Sequence, residues 1–301
     1  MTLFLGSLQL GLLYGILAIG VYMSFRILNI PDLTTEGSFT FGLATSAMCA
    51  ISGHYILGIF MAIISGAAAG AVTGLLQTKC GIHPILSGII TMSGLYPINL
   101  AVMKSAVNVS LIGKDELFSK AMAAFSTLSR DSVKCIITFV FAAITSVIII
   151  AFFKTHLGLC VRATGDNEAM VSSSSINVDA VKVISLAMSN ACVALSGGIL
   201  AQYQGFADIN SAGGILVVGL ASVIIGEVII GRRGVTLGII SAVVGSIIYR
   251  FIIAIATATH IFPAFALKLV SAVIVAVALS IPAIRQSIAV SKIKKEAHKN
   301  A

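Results

Sequence analysis

The chain has no tryptophan and few charges: only 10% of its 301 residues are Asp, Glu, Lys or Arg. A soluble domain carries about a quarter. With 58% apolar residues and a mean hydropathy of +1.06, that scarcity excludes an ordinary soluble enzyme and leaves a polytopic membrane protein. The apolar runs are continuous and do not alternate, which disfavours a transmembrane barrel. At about 20 residues per span they allow roughly eight to ten helices. The expected fold is therefore all-α, a single transmembrane domain over residues 1–301, with one helix broken or re-entrant.

Other absences narrow the chemistry. The five cysteines, Cys49, Cys80, Cys135, Cys160 and Cys192, are odd in number and contain no CxxC. They read as apolar fillers or reduced thiols, not as a disulfide frame. The five histidines are dispersed, so no metal site follows from spacing. Gly113-Lys114-Asp115 lacks the leading glycine and the Ser/Thr of a P-loop, so no ATP hydrolysis is expected in this chain. No nucleophile–base motif stands out. The net charge of +8 is not a nucleic-acid signal, because its positive residues lie mostly between spans and in the tail.

What is present begins with the spans. They are expected at Leu3–Ser24, Phe41–Ser52, Tyr55–Leu76, Ile85–Met103, Cys135–Phe153, Ile184–Gln202, Ile215–Ile230, Val235–Ala256 and Ala266–Ile284, about nine in all, with Phe41–Ser52 short enough to be re-entrant. The basic tail, Arg232 and Arg233, residues 154–183, Lys79 with His83, and Arg26 then fall on the cytoplasmic side. Residues 104–134, the longest loop, and the turn GFADIN fall outside, as does the N-terminus. Gly66, Gly70 and Gly74 stand four apart, the small-xxx-small spacing that lets helix backbones approach in lipid.

Two polar passages interrupt this pattern. Residues 154–183 carry a short helix signal: Thr164 or Asp166 can cap it, with Glu168 in the first turn. Four serines from Ser172 to Ser175 break it, and Asn177 or Asp179 can cap the next helix. The second passage follows Arg26. Pro31 disfavours helix at Ile30, Asp32 or Thr34 can cap a new helix, and Glu36 sits in its first turn. Asp32, Thr34, Thr35, Glu36 and Ser38 are costly in lipid, so they cap a helix at the water interface or begin a broken helix beside a transport route. Ser189 and Asn190 either add polar contacts to that route or hydrogen-bond a neighbouring helix. Glu227 precedes Arg232 and Arg233 closely enough for a local ion pair at the membrane edge.

The stretch GDNEAMVSSSSINV resembles the cytoplasmic loop of permease subunits of bacterial ABC importers, especially the branched-chain amino acid and ribose permeases. Gly165, Asn167, Glu168, Ala169 and Ile176 stand at the family's positions. Met170 replaces an alanine, Ser175 stands where glycine is usual, and Asp166 lies within the motif. Ile30-Pro31-Asp32-Leu33-Thr34 with Gly37-Ser38 is similar to the motif at the broken second helix of the sugar permeases, with a proline inserted. The opening LLYGILAIGVYMSFRILNIPDLTTEGSF, GILVVGLASVIIGE and the closing LKLVSAVIVAVALSIPAIR extend the likeness over nearly the whole chain, towards a subgroup linked to tryptophan or tyrosine uptake. The resemblance implies a multi-pass permease of the bacterial inner membrane, coupled through residues 165–176 to a separate ATPase that carries ATP and Mg. It implies a substrate-binding lipoprotein outside, a second copy of the chain, and a small zwitterion with an apolar or aromatic side chain as solute. An ion-coupled secondary transporter or channel is the alternative; it needs a coupling site built from Glu227, Asp32 or Glu36.

Overall fold

The computed structural model describes residues 2–124, 129–231 and 234–258, with single positions at 269, 272, 273, 276 and 280. Arg232 and Arg233, most of the expected span Ala266–Ile284 and the basic tail lie outside the described residues. Among the described residues, eleven α-helices, one π-helical turn and two short strands follow one another. α1 (Thr2–Val21) runs into a π-helical turn, Tyr22–Ile27. Then come α2 (Thr34–Ile51), α3 (Tyr55–Thr78), α4 (Pro84–Val102), β1 (Asn108–Ser110), α5 (Leu117–Ala124), α6 (Arg130–Lys154), α7 (His156–Asp166), α8 (Glu168–Ser173), α9 (Val178–Gln204), β2 (Phe206–Asp208), α10 (Ile215–Ile230) and α11 (Val235–Ala258).

Six of these units are long and apolar enough to cross a membrane: Leu3–Ile27, α3, α4, α6, α9 and α11. α2 is more polar, and α10 has only 16 residues. Sixteen residues rise about 24 Å, short of the roughly 30 Å of a hydrocarbon core. Both pack inside the bundle all the same. The sequence reading placed a separate short span at Phe41–Ser52. The helix instead starts at Thr34 and passes through Gly37 and Ser38 unbroken, because once capped, its polar first turn is covered by neighbouring helices.

The centre of the bundle is α9, which packs against α1, α2 and α3. α1 in turn contacts α6, α10 and α11. Leu13, Ile16, Leu17 and Ile19 of α1 and Leu186, Val193 and Ile199 of α9 are fully buried. By contrast Ile56, Phe60 and Ile64 of α3 and Phe139, Val147 and Ile148 of α6 face outward, as side chains facing lipid do. Gly205 ends α9 in a left-handed conformation, φ 75°, which glycine adopts without steric cost.

The two loops expected outside meet each other. β1 pairs antiparallel with β2, with Val109 opposite Ala207. Residues 104–124 thus hold a strand and a helix rather than a plain loop. At the other end, Lys79 faces Asp179 at 3.6 Å. The polar segments therefore sort to two ends of the bundle.

Candidate functional site

The polar elbow begins where α6 stops. Thr155 caps α7, its hydroxyl accepting the Gly158 N–H at 3.3 Å. α7 then runs through Thr164 and Asp166, so neither residue caps the next helix. Thr164 donates its hydroxyl to the Cys160 carbonyl inside α7. The cap is Asn167, where the backbone leaves the helix (φ −157°) and the side chain accepts the Met170 N–H at 3.1 Å. Glu168 pairs with Lys182 of α9 at 2.5 Å. Ala169 and Met170 are exposed. Ser174 closes α8, and Ser175 holds φ 60°, the left-handed region that explains a glycine at this place in related loops. Ile176 packs on the core, and Asn177 caps α9 through the Ala180 N–H at 3.0 Å.

Gly165 seats the elbow on the rest of the bundle. A side-chain carbon there would overlap the Ile27 carbonyl and press on the Leu28 backbone. The elbow therefore rests directly on the end of the π-helical turn, just before the chain break at Asn29, Ile30 and Pro31.

Past that break lies a buried polar knot. Asp32 Oδ1 accepts the Thr34 N–H at 2.9 Å, and Oδ2 accepts the Asn190 amide at 2.6 Å. The Thr35 hydroxyl donates to the Asp32 carbonyl at 3.0 Å. The hydroxyls of Thr34 and Thr73 meet at 2.7 Å. Asp32, Thr34, Thr35, Ser38 and Asn190 are all fully buried. Ser38 Oγ and Asn190 Oδ1 have no partner among the described residues. Ser189 donates to the Gly20 carbonyl at 2.7 Å, the helix–helix bond that was one of its two readings. The knot can form because α3 and α9 nearly touch. Side-chain carbons at Gly66, Gly70 and Gly74 would strike Asn190, Leu186 and Val183. This glycine face is thus filled within one chain and is not free to join two chains.

The opposite face of α2 borders a cavity of about 650 Å³. Glu36 and Thr40 line it together with Tyr96 and Asn99 of α4 and Asn210 and Gly213 of the segment before α10. Glu36 Oε1 accepts the Gly214 N–H at 3.0 Å, so it covers the positive N-terminal end of α10. Asn99 is 1% exposed; its amide reaches the Gly37 carbonyl at 3.3 Å, while its Oδ1 has no partner among the described residues. Of the pathway residues nominated from sequence, Glu36 alone is among those named at this cavity. Asn99 and Tyr96 are not among the residues nominated from sequence; an amide two residues after Pro97 in an apolar helix was the available signal.

Glu227 has a partner far away in sequence. Arg26 grips its carboxylate at two points, Nε to Oε1 at 2.7 Å and Nη2 to Oε2 at 2.6 Å. The local pairing expected with Arg232 and Arg233 falls on residues outside the described ones; the Arg26 contact forms because the end of the π-helical turn packs on α10. A second cavity, about 300 Å³, lies here, bordered by Arg26, Glu227, Arg162 and Asp166. It joins the elbow to the α1–α10 contact. The three carboxylates that an ion-coupled carrier could use are therefore engaged: Glu227 by Arg26, Asp32 by Thr34 and Asn190, Glu36 by Gly214. Among the described residues, no group of three or more His, Cys, Asp or Glu could hold a metal ion.

The model of the family described as branched-chain amino acid transport system / permease component matches residues 3–278. A tyrosine transport system permease protein of Clostridioides difficile (strain R20291) is 35% identical, over 88% of this chain and 86% of the relative. An uncharacterized protein of Rickettsia prowazekii (strain Madrid E), RP368, is 32% identical over 75% and 78%. A ribose import permease protein of Escherichia coli (strain K12) is more distant, 24% identical over 70% and 64%. No solved structure matches.

Proposed function

The chain belongs to the branched-chain amino acid transport system permease family, and from that premise we propose that it forms the inner-membrane path of an ATP-driven importer for an amino acid, aromatic or branched-chain. The observation that carries this reading is the α7–α8 elbow. Its tip is exposed at Ala169 and Met170, and its base is seated through Gly165 on Ile27 and Leu28. A docking element needs that combination: a free surface for a partner and a stiff seat through which a push is passed on.

ATP and Mg belong to a separate ATPase that grips the elbow. A push there reaches the π-helical turn, then Pro31 and the Asp32 knot, and so the start of α2. The solute passes along α2, with Glu36 and Thr40 facing it and the knot holding the helix end from behind. An extracytoplasmic binding lipoprotein delivers the solute. Two copies of the chain complete the path, because paired ATPases need two transmembrane halves. The amino-acid class is supported by the tyrosine transport relative.

The test is a cysteine at Met170 and an arginine at Glu168, each in the full complex. Met170→Cys should cross-link to the ATPase. Glu168→Arg should leave the membrane level of the chain unchanged and cut uptake at least tenfold while ATP hydrolysis continues. Cross-links that consistently miss the ATPase, or uptake that follows an ion gradient instead of ATP, overturn the proposal.

A further inference from the structure

We infer that the cavity between α2, α4 and residues 209–213 is a subsite for the ammonium group of the transported solute; this deepens the importer reading and rests on it. Charge is the first reason. Glu36 is the one carboxylate among the described residues that line the cavity, and none of these is Lys, Arg or His. The second reason is Asn99. It is almost fully buried, it lines the cavity, and its Oδ1 has no partner among the described residues. A buried acceptor left bare is costly, and a donor arriving from the cavity removes that cost. An ammonium carries three donors and no acceptor, which suits two facing acceptors, Glu36 and Asn99.

The N-terminus of α10 points to the same sign of charge. A free helix start of this length favours an anion. Here Glu36 already occupies it through the Gly214 N–H, so a carboxylate entering the cavity meets another carboxylate rather than open N–H groups. Met92 and the exposed ring of Tyr96 give the remaining wall an apolar and aromatic character. That wall accepts the rest of a small molecule, and the ring face attracts a cation. The volume is within the range of small-ligand sites.

The experiment uses the full chain in lipid nanodiscs and two labelled probes: tyramine, which has the amine without the carboxylate, and 3-(4-hydroxyphenyl)propionate, which has the carboxylate without the amine. Equilibrium dialysis should show saturable binding of tyramine and none of the acid. Glu36→Gln keeps an oxygen for the Gly214 N–H, so the start of α10 survives; it should weaken tyramine binding at least tenfold. Asn99→Leu, which fills the space without the acceptor, should weaken it several-fold. Equal or tighter binding of the acid, absence of saturable tyramine binding, or unchanged binding in both variants overturns the inference. Amine binding that depends on Glu36 in a complex that shows no ATP-driven uptake would instead count against the importer reading and leave the subsite standing.

Discussion

At the start of α2, Asp32 and Thr34 bond to α9 and α3; another face of the helix turns Glu36 and Thr40 towards the cavity beside α4. Both are polar surfaces in an apolar bundle. On the first, the carboxylate is met by an amide and a backbone N–H, and a hydroxyl by a hydroxyl. On the second, Glu36 answers one N–H, and the Asn99 oxygen answers nothing among the described residues. The knot too holds atoms with no partner among the described residues, Ser38 Oγ and Asn190 Oδ1. Of these bare atoms only the Asn99 oxygen belongs to a residue that lines the cavity, so the difference lies in access and not in polarity. A polar group met inside the chain holds helices together; one left open towards a cavity is available to a ligand. Composition alone scores the two faces alike.

The sharpest way to break this comparison is Asp32→Ala. It strands one N–H of the Asn190 amide, which keeps only its bond to the Leu186 carbonyl, and the Thr34 N–H. We expect a loss of about 3 kcal/mol or more in stability, visible as a sharp fall in membrane abundance and in the detergent unfolding midpoint. A variant as stable as the parent would mean that the knot is not structural.

On the cavity face the expectation is reversed. Glu36→Gln should change stability by only about 0.5 kcal/mol, yet lower uptake at least tenfold, about 1.4 kcal/mol in binding terms. Measuring both on one preparation separates the two faces directly. Loss of stability in step with uptake would erase the distinction.

Thr73→Val probes the edge of the knot. It keeps the shape of the side chain and removes the partner of the Thr34 hydroxyl. Stability should fall by about 1 kcal/mol, with uptake within twofold of the parent. A collapse of uptake without destabilisation would move the knot into the pathway.

The smallest effect is expected away from both faces. Ser175 holds a left-handed backbone that costs an L-residue roughly 1–2 kcal/mol. Ser175→Gly relieves this but adds disorder to the unfolded chain, roughly 0.5–1 kcal/mol. The net gain should be about 0.5 kcal/mol by these figures, read as a slightly higher unfolding midpoint with uptake unchanged.

Much of this was legible in the sequence because it is local. Pro31 marks the break, Asn177 the cap of α9, and the four-residue glycine spacing a close helix contact. Asn167 was placed in the right motif but not as its cap, since Thr164 and Asp166 are equally good caps on paper; only the run of α7 decides. What stayed hidden is long-range. Arg26 and Glu227 are 201 residues apart, and Asp32 and Asn190 are 158 apart. No local pattern announces either pair. The strands at Asn108–Ser110 and Phe206–Asp208 escaped for the same reason, as three-residue pieces that exist only through each other. Asn99 was invisible because its importance comes from what it fails to touch.

The spacing of Asp32 and Asn190 also has a consequence for how the protein is made. Ribosomes add about 5–20 residues per second, so Asp32 enters the membrane roughly 8–30 s before its amide partner exists. For that interval α3 offers an empty glycine groove at Gly66, Gly70 and Gly74, and the carboxyl of Asp32 has no amide to meet it. The arrival of α9 fills the groove and partners the acid in one step. A nascent chain that stops short of Asn190 thus carries both defects at once, an unmet acid and an open groove.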